Sequence, residues 1–216
     1  MSRVTIVCPT RGRPELFMRM VKSAQELAGE EIEILAYVDD DDPRKADYPE
    51  WVEIGPPKRS SKAVLYLINK VCTPYFQIGT DDIVFRTQDW VAKTLAHMPK
   101  DDLGLISPTG KETVKGIDGH FLCSMRWHTT IGIFPDEFTH FGPDGWALKV
   151  AVAAGRWFKV KDVLIDHYHF KYDPRLKDDT YMRNRTSKDN REAERFLIEN
   201  AHRIQAAADR LKELIR

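Results

Sequence analysis

The stretch Pro74-Tyr75-Phe76-Gln77-Ile78-Gly79-Thr80-Asp81-Asp82-Ile83-Val84-Phe85 decides how this chain is read. A short apolar run ends in Gly79-Thr80, two adjacent carboxylates follow, and the chain turns apolar again. This is the pattern of a buried strand whose end presents paired carboxylates at a sheet edge. Hard divalent cations take oxygen ligands and are held by one or two carboxylates together with substrate phosphates. A strand-end Asp pair is therefore a natural platform for a metal and a diphosphate. The same dipeptide also occurs in ordinary solvated turns, so its surroundings must decide.

Upstream, Val4-Thr5-Ile6-Val7-Cys8 is β-branched and apolar, as in a strand buried on both faces. Pro9-Thr10-Arg11-Gly12-Arg13-Pro14 breaks it and opens a helix, with Pro14 suited to the first turn, running to about Leu27. Ile32 to Val38 reads as a second strand, ending in the acidic run Asp39 to Asp42, and a short third strand lies near Trp51 to Ile54. Helical patterns over Ser61–Val71 and Gln88–Met98 alternate with the central strand and with a further one over Leu103–Ser107. This alternation predicts an α/β fold, a single domain with a mostly parallel central sheet flanked by helices.

Beyond that point His120–Met125 and Thr130–Phe134 read as short strands, Asp144–Ala154 as a helix closed by Gly155, and Trp157–Val160 and Val163–Phe170 as strands. The domain is expected to span residues 1–170, with residues 171–188 a flexible loop or lid. Residues 189–216 carry an apolar stripe through Phe196, Ala201, Ile204, Ala208, Leu211 and Ile215. That amphipathic helix is expected to cover the domain or to mediate a homodimer.

Composition narrows the class. The 216 residues allow a self-sufficient core, and 42% hydrophobic residues indicate a globular chain. Lys+Arg and Asp+Glu both number 33, which argues against a strongly basic nucleic-acid binder. No apolar run reaches bilayer-spanning length. Met1-Ser2-Arg3-Val4 has no signal-peptide layout, and the cysteines Cys8, Cys72 and Cys123 are scattered and odd in number. Together these predict a cytoplasmic protein in a reducing compartment.

Three strand ends carry polar clusters: Pro9 to Arg13, Asp39 to Asp42, and Gly79 to Asp82. Ligands of open α/β sheets bind at the carboxyl ends of strands. Thr10, Arg11 and Arg13 could contact a nucleotide, whose phosphates a helix N-terminus favours, and Asp39 could accept from a base or ribose. Asp41 and Asp42 read as a solvated acidic loop. Asp144, in Phe141-Gly142-Pro143-Asp144-Gly145-Trp146, is either a helix-start carboxylate or a general base at a cleft. In Asp166-His167-Tyr168-His169, alternation sends both histidines to one face, where His167 could complete a metal site; His169 reads as an ordinary edge residue.

The order of these motifs resembles the family 2 glycosyltransferases of the GT-A fold, across residues 3 to 170. Val4 to Pro14 resembles the opening strand and nucleotide loop, and Glu33 to Asp40 the second strand with its base-contacting Asp39. Gly79-Thr80-Asp81-Asp82 resembles the D-x-D element with Thr80 in place of its first Asp, and Asp144-Gly145-Trp146 the acceptor-side base. His167 falls where some members place a late metal-binding histidine. The resemblance implies nucleotide contacts from Pro9, Thr10, Arg11, Arg13, Asp39 and Asp81, a Mn²⁺ or Mg²⁺ ion on Asp82 and His167, and Asp144 as catalytic base. It also implies inverting transfer from a nucleoside-diphosphate sugar, with UDP-sugar as the donor, to an acceptor hydroxyl, under a lid formed by Tyr172 to Ser187. Lys58, Arg59 and Lys62 read as surface salt links.

Other readings stay open. One acceptor is a saccharide; another is a hydroxymethylated base of viral DNA, which would place the enzyme in a host cytoplasm. The support for DNA is the basic cluster Lys171, Arg175, Lys177, Arg183, Arg185, Lys188 and Arg191, which also fits a solvated loop. A nucleotidyltransferase would use similar nucleotide and metal chemistry, but its phosphate loop is normally richer in glycine than Pro9–Pro14. A non-catalytic nucleotide-sugar-binding module would keep the fold without turnover.

Overall fold

A computed structural model describes residues 2–110, 119–138, 141–169, 174, 177–184 and 187–215 of the chain. Strand β1 (Val4–Thr10) lies in the interior of the sheet, flanked in parallel by β2 (Glu33–Asp39) and β4 (Tyr75–Ile78), with β3 (Glu53–Gly55) parallel to β2 at one edge. Strands β5 (Ile83–Phe85), β6 (Leu105–Thr109), β7 (Leu122–Ser124) and β8 (Trp157–His167) complete a curled sheet of order β3-β2-β1-β4-β7-β6-β8-β5. Strand β7 runs antiparallel to β4 and β6, β8 parallel to β6, and β5 antiparallel to β8. The single α/β domain with helices flanking a central sheet is as the alternation of elements predicts; the sheet is mixed, parallel over β3-β2-β1-β4 and with antiparallel pairings beyond.

Period-2 alternation along β1 divides the core. Val4, Ile6 and Cys8 face a cluster with Phe17, Met20 and Trp90, supplied by helices α1 (Pro14–Leu27) and α3 (Trp90–Ala96). Val7 faces the opposite cluster with Leu67, Trp127, Trp146, Ala208 and Leu211. These come from α2 (Ser60–Ile68), α4 (Met125–Ile131), α5 (Pro143–Ala154) and the last helix. Cys8 and Cys123 are buried as small hydrophobes, Cys72 is exposed, and all three are free thiols.

Several elements differ from the sequence reading. Residues Thr130–Phe134 are not a strand: α4 runs to Ile131 and stops at Gly132, whose φ is 71°. The Ser124 hydroxyl accepts from Trp127 N at 3.1 Å, an N-cap that starts this helix and buries Trp127. The two late strands are one, β8, with a register irregularity opposite Ser107 and Thr109. The expected end of the second, Phe170, lies outside the described residues.

The C-terminal amphipathic stretch is also divided. Helices α6 (Asp179–Asn184), α7 (Ser187–Glu199) and α8 (Ala201–Ile215) replace the loop and single helix expected there. The break falls at Asn200, whose side-chain amide donates to Phe196 O at 2.9 Å. No helix among the described residues is long and apolar enough to cross a membrane.

Candidate active site

Four residues, Gly79–Asp82, carry the chain from β4 to β5. A Cβ on Gly79 would lie 2.7 Å from Ile6 Cγ2, so only glycine lets the turn cross β1 this closely. β5 then pairs with β8 in the register Ile83↔His167. That pairing brings Asp82 beside His167: Asp82 Oδ1 is 3.3 Å from His167 Nε2. Thr80, standing where the D-x-D element has its first acid, donates to Asp82 Oδ1 at 2.6 Å.

The loop after β1 reaches the same point. Thr10 Oγ1 donates to Asp81 Oδ2 at 2.8 Å and Arg13 Nη1 to Asp81 Oδ1 at 3.1 Å, and Arg13 Nη1 is also 3.6 Å from Asp82 Oδ2. Arg13, Asp81 and Asp82 are all nearly buried. Removal from water and the neighbouring Asp82 charge push the Asp81 carboxyl up to about 6. Burial opposes charge on Asp82 as well, but hydrogen bonds from His167, Thr80 and Tyr181 hold it far below the usual carboxylate range. The pair therefore divides into a charged Asp82 and an Asp81 that takes up a proton readily.

Beside this cluster, Asp39 Oδ1 accepts from Lys58 N at 2.8 Å and Asp39 Oδ2 from Arg11 Nη1 at 3.2 Å. Arg11 also pairs with exposed Asp41. Pro9 sits in β1 opposite Tyr37 of β2. Sequence reasoning misplaced two residues here. Asp42 is not part of a solvated loop: it is 2% exposed and accepts from Gly12 N at 2.7 Å and Arg44 N at 2.8 Å. It thereby holds Gly12 at φ 68°. Lys58 forms no salt link among the described residues; its ammonium donates to Tyr37 Oη at 2.8 Å and lies over the rings of Tyr37 and Tyr66. Tyr48 was missed altogether; its hydroxyl accepts from Arg13 N at 2.9 Å and lies 3.2 Å from Thr10 Oγ1. An isolated Tyr in a connecting loop carries no sequence signal for that role.

Asp144 stands apart from the carboxylate pair, in the first turn of α5, whose N-cap is Gly142. Burial raises its carboxyl pKa, while hydrogen bonds from the backbone of its own turn work the other way. Its carboxylate faces Gly119, where an added Cβ would lie 3.6 Å from Oδ2. The next residue, His120, was also missed. Its ring meets that of His167 edge-on at 4.7 Å, and its Nδ1 is buried without a hydrogen-bond partner among the described residues. Gly119-His120 thus spans the gap between Asp144 and the Asp82–His167 pair. His169 is 5.2 Å from His167, ring to ring.

These residues fit a divalent cation at one edge. Two cis ligands of an octahedral ion at about 2.1 Å lie about 3 Å apart, and Asp82 Oδ1 and His167 Nε2 are 3.3 Å apart. No group of three protein donors is assembled among the described residues, so remaining ligands would come from phosphate and water, as a Mg²⁺- or Mn²⁺-type ion commonly accepts. Of the basic cluster weighed for DNA, Lys171, Arg175 and Arg185 lie outside the described residues.

No protein-family model matches the chain, and no curated protein matches it by sequence. Solved structures do. The mannosyltransferase PcManGT from Pyrobaculum calidifontis, in complex with GDP-Man and Mn²⁺, superposes with a TM-score of 0.61 over 97% of this chain and 73% of its own, at 14% identity. Glucosyl-3-phosphoglycerate synthase from Mycobacterium tuberculosis, in complex with Mg²⁺ and UDP, gives 0.59 over 78% and 72%, at 10% identity. The chain has the GT-A fold. S. aureus TarS is similar too, with a TM-score of 0.55 at 10% identity. The chain spans 36% of TarS, and 60% of its fragment 1–349. Within the GT-A frame, the ends of β1, β2 and β4 converge on one cluster of Thr10, Arg13, Asp81 and Asp82, with Arg11 and Asp39 alongside.

Proposed function

We propose that this chain is an inverting, metal-dependent glycosyltransferase that moves a sugar from a nucleoside-diphosphate sugar to an acceptor hydroxyl. The observation that carries the proposal is the pairing of β5 with β8, which sets the charged Asp82 against His167 beside the loop after β1. Asp82 and His167 would hold Mn²⁺ or Mg²⁺, which when bound supplies positive charge to the departing diphosphate. Arg11 and Arg13 would offer guanidinium groups to the phosphates, and Asp39 and Pro9 would border the nucleoside. Asp144 would accept the acceptor proton as the hydroxyl oxygen bonds to the anomeric carbon and the bond to the diphosphate breaks. Burial raises the pKa of Asp144, the direction that strengthens a carboxylate base.

A UDP-sugar is the proposed donor, supported by the UDP bound to the Mycobacterium tuberculosis synthase; the GDP-Man bound to PcManGT makes guanosine donors the comparison to run beside it. The test measures nucleoside diphosphate released from UDP- and GDP-sugars, with saccharide acceptors, in Mn²⁺ and in EDTA. Wild-type protein is expected to turn over one donor only with metal. Asp82→Asn should lose metal-dependent donor binding, and Asp144→Asn should keep that binding and lose transfer by at least about a hundredfold. Metal-independent binding of every nucleotide, or normal transfer by Asp144→Asn, would remove the assigned roles.

A further inference from the structure

Helix α6 lies across the cluster just described. Asp178, immediately before it, takes Arg13 in a fork: Arg13 Nε donates to Oδ2 and Nη2 to Oδ1, both at 2.7 Å. Thr180 Oγ1 donates to Arg11 O at 2.9 Å. The Tyr181 hydroxyl donates to Asp82 Oδ2, and its ring lies under the Arg13 guanidinium, 4.0 Å from Cζ to the centroid. A Cβ on Gly12 would sit 3.2 Å from Thr180 Oγ1, so the loop and α6 are in close contact.

The contacts of Asp178 and Tyr181 use groups, Arg13 and Asp82, that the proposed donor and its cation need. A fork of guanidinium on carboxylate has the same geometry and charge pattern as guanidinium on phosphate. Asp82 Oδ2 is taken by Tyr181 and faces Arg13, while Oδ1 accepts from Thr80 and lies against His167. With Asp178 in place, three carboxylates surround one guanidinium, and a diphosphate arriving there would add negative charge to an already acidic cluster.

Resting on the donor-site reading above, we propose that α6 is a built-in competitor for that site: Asp178 occupies the anion position on Arg13 and Tyr181 caps the metal-facing carboxylate, so the segment must leave before a nucleoside diphosphate and its metal bind. The attachment is suited to release. Asp178, Thr180 and Tyr181 reach the loop after β1 and Asp82 through hydrogen bonds, an ion pair and a cation–π contact, and Met182 on the same short helix is 54% exposed. Segments held by few buried apolar contacts open at low cost. Asp178 is itself 39% exposed, so water reaches the outer side of the fork.

The arithmetic of a competing closed state sets the expected effect. Apparent affinity is the intrinsic affinity reduced by the fraction of open molecules, so a segment closed in about nine molecules of ten weakens binding about tenfold. Asp178→Asn removes the charge and keeps an acceptor for the Tyr181 amide, which now bonds Asp178 Oδ1 at 3.0 Å. Tyr181→Phe removes only the hydroxyl. Titration calorimetry with UDP and with GDP, each with Mn²⁺, is expected to show Kd about tenfold lower for Asp178→Asn and lower for Tyr181→Phe. Hydrogen exchange on the wild-type chain, which needs no variant, should show amides of residues 179–184 losing protection when the binding nucleotide and Mn²⁺ are added. Unchanged or weaker binding by the variants, or protection that rises on binding, would overturn the competitor and leave the donor site standing. Failure of every form of the protein to bind either nucleotide would remove the donor-site reading, and the competitor with it.

Discussion

Two adjacent carboxylates in a buried turn cannot both carry charge cheaply, and here the neighbours decide which one does. Asp82 takes three hydrogen-bond donors and keeps its charge; Asp81 faces Arg13 and Thr10 but is pushed up to about 6 by burial and by Asp82. The folded chain therefore retains a proton on Asp81 that the unfolded chain releases near pH 4. Where the folded state binds more protons, stability falls as pH rises. This group thus contributes most below about pH 4, loses that contribution between about pH 4 and 6, and is flat above. Asp81→Asn, which cannot titrate, should remove that fall. Urea unfolding of both proteins from pH 4 to 7 checks it: the difference in stability between wild type and variant should shift across pH 4–6 and then level off. Parallel profiles would mean that Asp81 is ionised throughout. The identities of Asp81, Asp82 and His167 were legible in the sequence, because strand-end acids and a late histidine carry a pattern. The division of charge between the two acids was not, because it depends on Thr10, Arg13 and Tyr181, which are distant in the chain.

At the scale of elements, punctuation was legible and packing was not. Helix α5 begins and ends close to where Gly142-Pro143 and Gly155 place it: Pro143 needs no amide partner in the first turn, and Gly155 closes the helix at φ 69°. The end of helix α4 was read as the start of a strand over Thr130–Phe134 because β-branched Thr130 and Ile131 favour extended chain, whereas the burial of Trp127 and the Ser124 cap hold the segment helical. The start of α5 is the more exacting junction. Gly142 has φ 100°, and a Cβ there would lie 2.5 Å from Phe138 Cε1 and 3.1 Å from Ala193 Cβ. Gly142→Ala must therefore distort the first turn that carries Asp144. The expected cost is about 2 kcal/mol in urea unfolding, with transfer falling further than donor binding, since Asp144 moves and Asp82 does not. An equal loss of both would indicate general unfolding rather than displacement of α5.

For the whole molecule, the site exists because of a pairing that no local pattern announces. Strand β5 follows β4 in sequence yet pairs with β8, and only that closure sets Asp82 against His167. The second whole-molecule feature is the packing of α8, whose Ile204, Ala208 and Leu211 enter the same core cluster as Trp146, Ala147 and Val150 of α5. The amphipathic stripe of residues 189–216 fits either a cover for the domain or a homodimer contact, and this arrangement favours the first. Leu211 is fully buried, and truncating such a leucine costs about 2–5 kcal/mol through lost contacts and the cavity left behind. In a chain of this size each kcal/mol lowers Tm by about 2–4 °C, so Leu211→Ala should melt roughly 4–20 °C below wild type. If α8 covers its own domain, that difference and both Tm values stay constant over a hundredfold range of protein concentration. If α8 is instead shared between two copies, Tm must climb with concentration by mass action, and the leucine variant must show the steeper dependence.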